Sequence, residues 1–336
     1  MTTATITAPA DRINPFLTMG KPVTGLSTAN DVLLDNHLMG WNVRKVDLAG
    51  RENGRLIGTI PNQHGVAFND PENGYKPTLL PVTVGNVWSP VQNEAHAGFL
   101  DEIVGESGAN YYAAGHARDH RQVFVTMKLP TTMRVGGSST GTDGDPIDLY
   151  LNGINSHGDS SFKVMVTPVR WFCTNMIQWK QAQQTISIRH TANALANVDL
   201  ARKVLALSFA ALDDFQAEAE RMIETTVSDA EFEAIVRAEY GPAADAKKAG
   251  ITLANDRVDT MLSLFVEGSA NANIRNTAWG AYNALVEYAD FAQPVNGADE
   301  LVKAQIRVER SLIGHAGADA KARAWELFAP RALVTV

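Results

Sequence analysis

The sequence has almost no cysteine and no long apolar run. Cys173 is the only cysteine among the 336 residues, so no disulfide can form within the chain, which fits a reducing compartment. No apolar stretch is long enough to cross a bilayer. The first residues also lack the basic and apolar segments of a secretory signal. We therefore expect a cytoplasmic protein that makes no membrane contact.

Charge of one sign is concentrated in the second part of the chain. Residues 1–190 carry 15 Lys and Arg against 16 Asp and Glu, whereas residues 191–336 carry 14 against 21. The net charge of −8 therefore belongs mainly to the C-terminal part. An acidic block of this kind repels a phosphate backbone unless its charges face away from it.

Two hydrophobic periodicities divide the chain. Between residues 17 and 190, stretches such as "RQVFVTMKLP" and "SFKVMVTPVRWF" alternate as strands do, and "NEAHAGFLDEIVG" predicts a helix capped by Asn93. The Gly-, Asn- and Pro-rich stretch 49–76 predicts hairpins and loops. After residue 190 the period changes to that of amphipathic helices.

These patterns predict an α+β fold. We expect a flexible N-terminus over 1–16 and an antiparallel sheet with one or two packed helices over 17–190. We expect an acidic, mostly helical region over 191–336, packed on that domain.

The stretch "NSHGDSS" brings Ser156 or Ser160 together in sequence with His157 and Asp159, but not in a pattern suited to catalysis. Neighbouring residues on one turn cannot face each other as nucleophile, base and orienting acid must. No Gly-x-Ser-x-Gly elbow is present either. Asn, Ser, Gly and Asp are turn residues, so we interpret this stretch as a turn. Cys173, flanked by Trp171 and Phe172, is interpreted as a buried core thiol.

The stretch "HARDH" places His116 and His120 four residues apart, an interval found among metal ligands on helices. Here the surrounding pattern predicts a hairpin, and no third ligand is evident in the sequence. We therefore expect no metal, and we interpret these residues as polar groups at an exposed turn. The sequence also contains no phosphate-binding glycine loop and no dinucleotide fingerprint, so we expect no cofactor.

Cations and aromatic residues alternate along the predicted strands. This mixture suits single-stranded nucleic acid, because every base has a face to stack on and every phosphate carries a charge. The opposing interpretation, with aromatic residues in the core and cations in solvent, accounts better for the composition taken alone. The candidate contacts are Arg121, Lys128, Lys163, Arg170, Arg189, Tyr112, Phe124 and Trp171.

Several motifs occur together in a recognisable order. "VGNVWSPVQNEAHAGFLDEIVG", "RQVFVTMKLP", "NSHGDSS", "VTPVRWFCTN", "IRHTAN" and "NTAWGAYNALVEYAD" follow one another between about residues 15 and 330. This series resembles the phage/plasmid-like proteins that carry domain of unknown function 932. The resemblance implies a protein of a mobile element in the cytoplasm of a bacterial host, without an established role. Family members often have Asp before Gly where this chain has Gly158 before Asp159, which a turn tolerates more easily than a catalytic site does.

Three functions remain open. A fold-level analogy with phage annealing proteins, applied to a mobile-element protein, favours single-stranded DNA binding or annealing by a homo-oligomer without catalytic residues. The first alternative is a metal-dependent nuclease or other hydrolase using His116, Asp119, His120 and His157. The second is a regulatory protein, such as a host-defence antagonist or an assembly accessory, that binds a protein partner through the acidic C-terminal helices.

Overall fold

A computed structural model gives the arrangement of most of the chain. It describes residues 13–23, 28–105, 108–136, 144–158, 161–177, 185–196, 198–312 and 316–329, without the side chains of 198–201 and 203–211. The predicted flexible segment 1–16 therefore lies mostly outside the described residues, as do Asp159 and Ser160 of the predicted turn.

The strands form two antiparallel sheets. One has six strands in the order β1-β5-β6-β7-β8-β9, and the other has three in the order β2-β3-β4. The strands of the described residues are β1 (Lys21–Pro22), β2 (Arg44–Glu52), β3 (Arg55–Asp70), β4 (Lys76–Gly85), β5 (Asn110–Ala117), β6 (Gln122–Val135), β7 (Asp145–Ser156), β8 (Phe162–Arg170) and β9 (Ile186–Ile188).

Helices flank the larger sheet and make up most of the chain after residue 197. The helices of the described residues are α1 (Pro15–Met19), α2 (Ala29–Asp35), α3 (Asn93–Val104), α4 (Val198–Glu224), α5 (Asp229–Tyr240), α6 (Lys248–Val266), α7 (Ala278–Glu287), α8 (Glu300–Leu312) and α9 (Ala316–Phe328). A π-helical turn, Tyr288–Ala292, continues α7. In the described part of the chain, none of these helices combines the length and apolarity that crossing a membrane requires.

The larger sheet is covered on both faces. Successive side chains of a strand point to opposite sides. Along β7, Ile147 and Leu149 enter the core shared with α3 and α4, whereas Tyr150 and Ile154 enter a second core with residues of α1 and α8. Every residue of β7 is consequently buried. The predicted α+β class, with an antiparallel sheet followed by helices, is confirmed.

Two local predictions need correction. Asn93 is the first residue of α3 rather than its cap, because its side-chain amide donates to the Leu38 carbonyl at 2.8 Å instead of closing the helix end. The stretch 49–76, predicted as hairpins and loops, contains the turns of the β2–β3 and β3–β4 hairpins, but most of it is the 16-residue strand β3 rather than loop. Pairing of β3 with β2 and β4 stabilises this extended structure, and such partners are not visible in a local pattern.

Candidate metal centre

A tight turn between β5 and β6 holds one of the histidines. Arg118, Asp119 and His120 all have left-handed backbone conformations, with φ of 54°, 52° and 65°. A non-glycine residue in this region is uncommon and costs about 1 kcal/mol or more, so three in succession must be held by their surroundings. The Arg118 guanidinium pairs with Glu309 of α8 at 2.5 Å, which ties the turn to the helical region.

A second turn brings a carboxylate to the same place. Glu72 belongs to a 3-10 helical turn, Pro71–Asn73, between β3 and β4. The Asp70 carboxylate caps this turn by accepting from the Glu72 backbone N–H at 2.9 Å. Gly74 and Tyr75, both with positive φ, then lead the chain into β4. The two sheets therefore meet through their turns.

The three side chains converge on a small volume. Nε2 of His116 lies 3.7 Å from Oε1 of Glu72, and Nε2 of His120 lies 3.9 Å from the same oxygen. The three possible ligand atoms all lie within 4.8 Å of one another. Tetrahedral zinc with bonds of about 2.1 Å would place its ligand atoms about 3.4 Å apart. Small side-chain rotations would therefore close these three groups around an ion.

The ring nitrogens are available for such an ion. The two imidazoles stack with their centroids 4.1 Å apart, so neither ring donates to the other. Nε2 of His120 is buried and has no hydrogen-bond partner among the described residues. Leaving a buried polar atom unpaired is unfavourable, and a bound ion or water would relieve it. The Glu72 side chain is 68% exposed, which leaves one side of the site open to solvent.

Aromatic residues form the inner wall of the centre. The buried Trp41 ring lies 5.9 Å from His116, 5.3 Å from His120 and 5.9 Å from His157, measured between ring centroids. Phe68 of β3 packs against His120 at 5.1 Å. These buried rings support the imidazoles on one side of the centre.

Burial favours the neutral form of His116. Desolvation is the largest cause of the lowered pKa of His116, followed by the nearby His120, while Glu72 and Asp70 oppose the shift. A neutral imidazole has a free lone pair, which is the form that binds a metal ion. The fully buried His157 has its pKa lowered to about 3 by the same desolvation.

His157 lies behind the centre rather than in it. Its Nε2 is 3.0 Å from Oδ1 of Asn93, and its backbone N–H donates to the Arg121 carbonyl at 2.7 Å. Through that bond the end of β7 supports the left-handed turn. Asp119 is exposed at the tip of the turn. Of the predicted polar residues, the structure thus brings His116 and His120 together, with His157 and Asp119 beside them.

The expectation that these histidines have no third ligand group is wrong. Glu72 was missed because it lies 44 positions before His116 and belongs to the other sheet. The only sequence signal was the Asp-Pro-Glu-Asn-Gly turn pattern at 70–74, which predicts a tight turn but not which turn faces it.

The residues predicted to contact nucleic acid do not form one surface. Phe124 is buried in the core that contains residues of α1 and α8, and Tyr112 packs on Tyr150 with ring centroids 5.0 Å apart. Arg121 and Lys163 are half-buried, whereas Arg189 is exposed. Helices cover both faces of the larger sheet, so its faces cannot form the expected binding platform.

Arg170 is a clear exception to the solvent-facing role expected of a strand cation. Its side chain is fully buried, and its Nε pairs with Oδ2 of Asp145 at 2.5 Å. The remaining guanidinium nitrogens donate to the Ala270 carbonyl and to Asn271 and Asn273, each at 2.9 Å. With its donors used inside the protein, Arg170 cannot contact a phosphate in this structure.

Lys128 and Trp171 do share a surface. The Lys128 ammonium lies 5.9 Å from the centroid of the Trp171 ring and pairs with Asp148 at 2.5 Å. Trp171 is 54% exposed, and the adjacent Phe172 is 43% exposed. This is the one predicted pair of a cation and an aromatic residue that the described residues place together at the surface.

Neither nucleophile considered from the sequence has the surroundings of a catalytic group. Cys173 is buried, and desolvation raises the pKa of its thiol to about 11, which keeps it protonated. The Ser156 hydroxyl accepts from Gln122 at 3.4 Å instead of facing His157. Both observations agree with structural roles for these residues.

The comparisons with known proteins give a family but no activity. The profile of the family described as domain of unknown function (DUF932) matches residues 82–313. The matched part includes His116, His120 and His157 but begins after Glu72. No curated protein and no solved structure matches the chain.

Proposed function

This chain belongs to the DUF932 family, whose description names no activity, and we propose from the site itself that it is a divalent-metal-dependent hydrolase. The proposed ligands are Glu72, His116 and His120. One observation carries the proposal: two imidazole nitrogens and a carboxylate oxygen from separate turns converge, and one of these nitrogens is buried without a hydrogen-bond partner.

Two histidines and one carboxylate suit a catalytic ion better than a structural one. Structural zinc sites use four protein ligands, whereas catalytic sites use three and leave a position for water or substrate. A metal ion in such a site supplies a polarising charge and a water molecule of lowered pKa. The open side at Glu72 gives a substrate access, and Asp119 lies next to the ligand His120 as a candidate proton acceptor.

Metal content tests the ligand set directly. We expect the purified chain to bind one zinc or cobalt ion. Loss of a residue that only hydrogen-bonds to a metal ligand lowers metal affinity by roughly 10- to 100-fold. His120→Ala and Glu72→Gln remove proposed ligands themselves, so we expect each to lower the affinity by more than that. His64→Ala is the matched control, because His64 is a surface histidine that contacts Asn86 and Asp47 outside the centre. Equal metal binding by all four proteins would overturn the ligand assignment.

Activity is tested on the same proteins. Hydrolysis of an activated phosphodiester and of single-stranded DNA should require added metal, stop on chelation and disappear in His120→Ala. A chain that binds one metal ion but hydrolyses neither a phosphodiester nor a carboxylic ester would overturn the hydrolase proposal while leaving the metal site in place.

Single-stranded nucleic-acid binding is a second candidate function, favoured by the exposed Trp171 and Phe172. Adjacent exposed aromatic rings beside Lys128 offer bases a surface on which to stack. We expect a fluorescent single strand to bind more weakly as salt rises and to lose affinity in the double variant Trp171→Ala/Phe172→Ala. Leu34→Ala, which removes another exposed side chain, is the control. No binding by the parent chain at low salt would remove this candidate.

Both candidates are compatible with the setting that the family resemblance implies. We place the protein in the cytoplasm of a bacterial host that carries a phage or plasmid, where a chain with one buried thiol would stay reduced.

A further inference from the structure

A two-stranded β-ribbon extends from the smaller sheet. We define the ribbon as residues 44–63, comprising β2, the turn after it and the first part of β3. Register pairs such as Arg51↔Leu56 and Ala49↔Thr59 join its strands, whereas β4 pairs with β3 only from Gln63 onward. Among the described residues, no strand pairs with the outer edge of β2, and none pairs with the edge of β3 that faces away from β2 between residues 55 and 62. Nine consecutive exposed residues of β3, about 30 Å of strand, belong to the ribbon.

The ribbon exposes aliphatic side chains. Leu56, Ile57 and Ile60 are 56%, 67% and 48% exposed. An isolated two-stranded hairpin is marginally stable in water, and it gains stability from a third strand or from packing on another element. Exposed apolar side chains on a ribbon with open strand edges indicate a surface that packs on another protein.

Charge indicates which protein that is. The ribbon carries four Lys and Arg against two Asp and Glu, so its net charge is +2 within a chain of net charge −8. Two ribbons placed together would repel each other, which disfavours symmetric ribbon-to-ribbon pairing. Residues 191–336 have a net charge of −7 and attract the ribbon.

One exposed apolar residue of the acidic region suits this contact. Among the side chains of that region that the structure describes, the exposed large aliphatic ones are Ile251, Leu253 and Leu301. Ile251 and Leu253 follow Lys247 and Lys248, whereas Leu301 follows Asp299 and Glu300 at the start of α8, where Glu300 pairs with Lys303 at 2.7 Å. An exposed leucine near the Asp299 carboxylate complements a ribbon in which Leu56 lies beside Arg51 and Arg55.

We propose that the ribbon of one molecule packs on the acidic helical region of a second copy of this chain, around Leu301. The contact joins two different surfaces, so the copies are arranged head to tail and form a ring or a filament. It uses neither the metal ligands nor Trp171, and it therefore stands independently of the proposed activities.

Complementation between two variants tests the arrangement. Analytical ultracentrifugation should show concentration-dependent self-association of the parent chain. Ile57→Asp in the ribbon and Leu301→Asp in α8 should each weaken association by about tenfold or more. Mixing the two variants should restore a 1:1 dimer, because one variant retains an intact ribbon and the other an intact acidic surface.

Several results would overturn the proposal. They are a parent chain that stays monomeric up to its solubility limit, variants that associate as the parent does, and variants that are monomeric but do not complement each other. Binding of nucleic acid that Ile57→Asp abolishes in a monomeric parent chain would instead assign the ribbon to nucleic acid. Both substitutions are at exposed positions, and unchanged thermal unfolding together with retained metal binding verifies that the variants are folded.

Discussion

The metal centre and the Arg170 site are both groups of ionisable side chains, but they differ in how completely those side chains are bonded. Around Arg170, the guanidinium contacts Asp145 and three groups of the 270–273 segment, and the same Asp145 oxygen accepts from Trp279 at 2.8 Å. At the metal centre, His116 and His120 face Glu72 at distances too long for hydrogen bonds.

The difference separates a structural role from a candidate functional one. A buried charge whose bonding capacity is used inside the protein holds elements together and has nothing left to offer a ligand. Ring nitrogens that face a common point without a partner retain their capacity for a ligand. Hydrogen bonding therefore distinguishes the Arg170 guanidinium from the His120 ring, although Oδ1 of Asp145 is also buried without a hydrogen-bond partner among the described residues.

The largest effect is expected at Arg170. Arg170→Met leaves Asp145 buried without its counter-charge, so the free energy of unfolding should fall by about 3–5 kcal/mol, as measured by urea denaturation. The double variant Arg170→Met/Asp145→Asn removes both charges and should recover much of this loss. A single variant as stable as the parent would contradict the structural role.

At the candidate metal centre, the free energy of unfolding should instead depend on whether zinc is bound. At a zinc concentration about 100 times the dissociation constant, binding to the folded state should raise the free energy of unfolding by about 2.7 kcal/mol. His116→Ala should abolish this increase, whereas Arg170→Met should retain it if it folds. A zinc effect of the same size in His116→Ala would show that the ion binds elsewhere.

Acid should destabilise the folded protein through two fully buried histidines, His96 and His157. His96 and His157 have folded-state pKa values of about 3, against an ordinary value near 6.5, because burial disfavours their charged forms. Protons therefore bind the unfolded chain first as the pH falls below 6.5. Each residue should lower the free energy of unfolding by about 1 kcal/mol between pH 7 and 5.5.

Comparing the parent with His157→Gln at these two pH values isolates one of the two contributions, because glutamine does not titrate. The loss between pH 7 and 5.5 should be smaller in the variant by about 1 kcal/mol. Equal losses in both proteins would mean that His157 is protonated in the folded state.

The smallest effect is expected for the half-exposed pair Lys128–Asp148. The lysine is 38% exposed and solvent screens its charge, so Lys128→Met should cost about 1 kcal/mol or less. Asp148 retains a hydrogen bond from Thr132 at 2.9 Å in that variant. A loss as large as that of Arg170→Met would remove the distinction between buried and exposed charges.

The sequence predicted elements better than it predicted which elements meet. The hairpin of β5 and β6, the helix ending at Gly105 and the helices after residue 197 all follow from local periodicity and turn residues. Local patterns also singled out His116 and His120. They could not supply Glu72, because the meeting of the two turns depends on how two sheets pack.

The sequence also could not predict which cations of the strands are buried. Arg170 and Lys128 both occur in alternating strand patterns, yet one is fully buried and the other reaches solvent. The difference arises from partners distant in sequence, such as Asn271 for Arg170, about 100 positions later. Arg170 is buried because a helical region packs against the end of β8. The sequence of the strand itself does not indicate this packing.

The ion pair between Arg118 and Glu309 affects when the turn that carries His120 gains its support during synthesis of the chain. The two residues are 191 positions apart. On the ribosome, β5, β6 and their turn are complete long before α8 emerges, so the left-handed turn that carries His120 at first lacks one of the contacts that support it. The nascent chain therefore completes the support of this candidate metal site only near the end of translation.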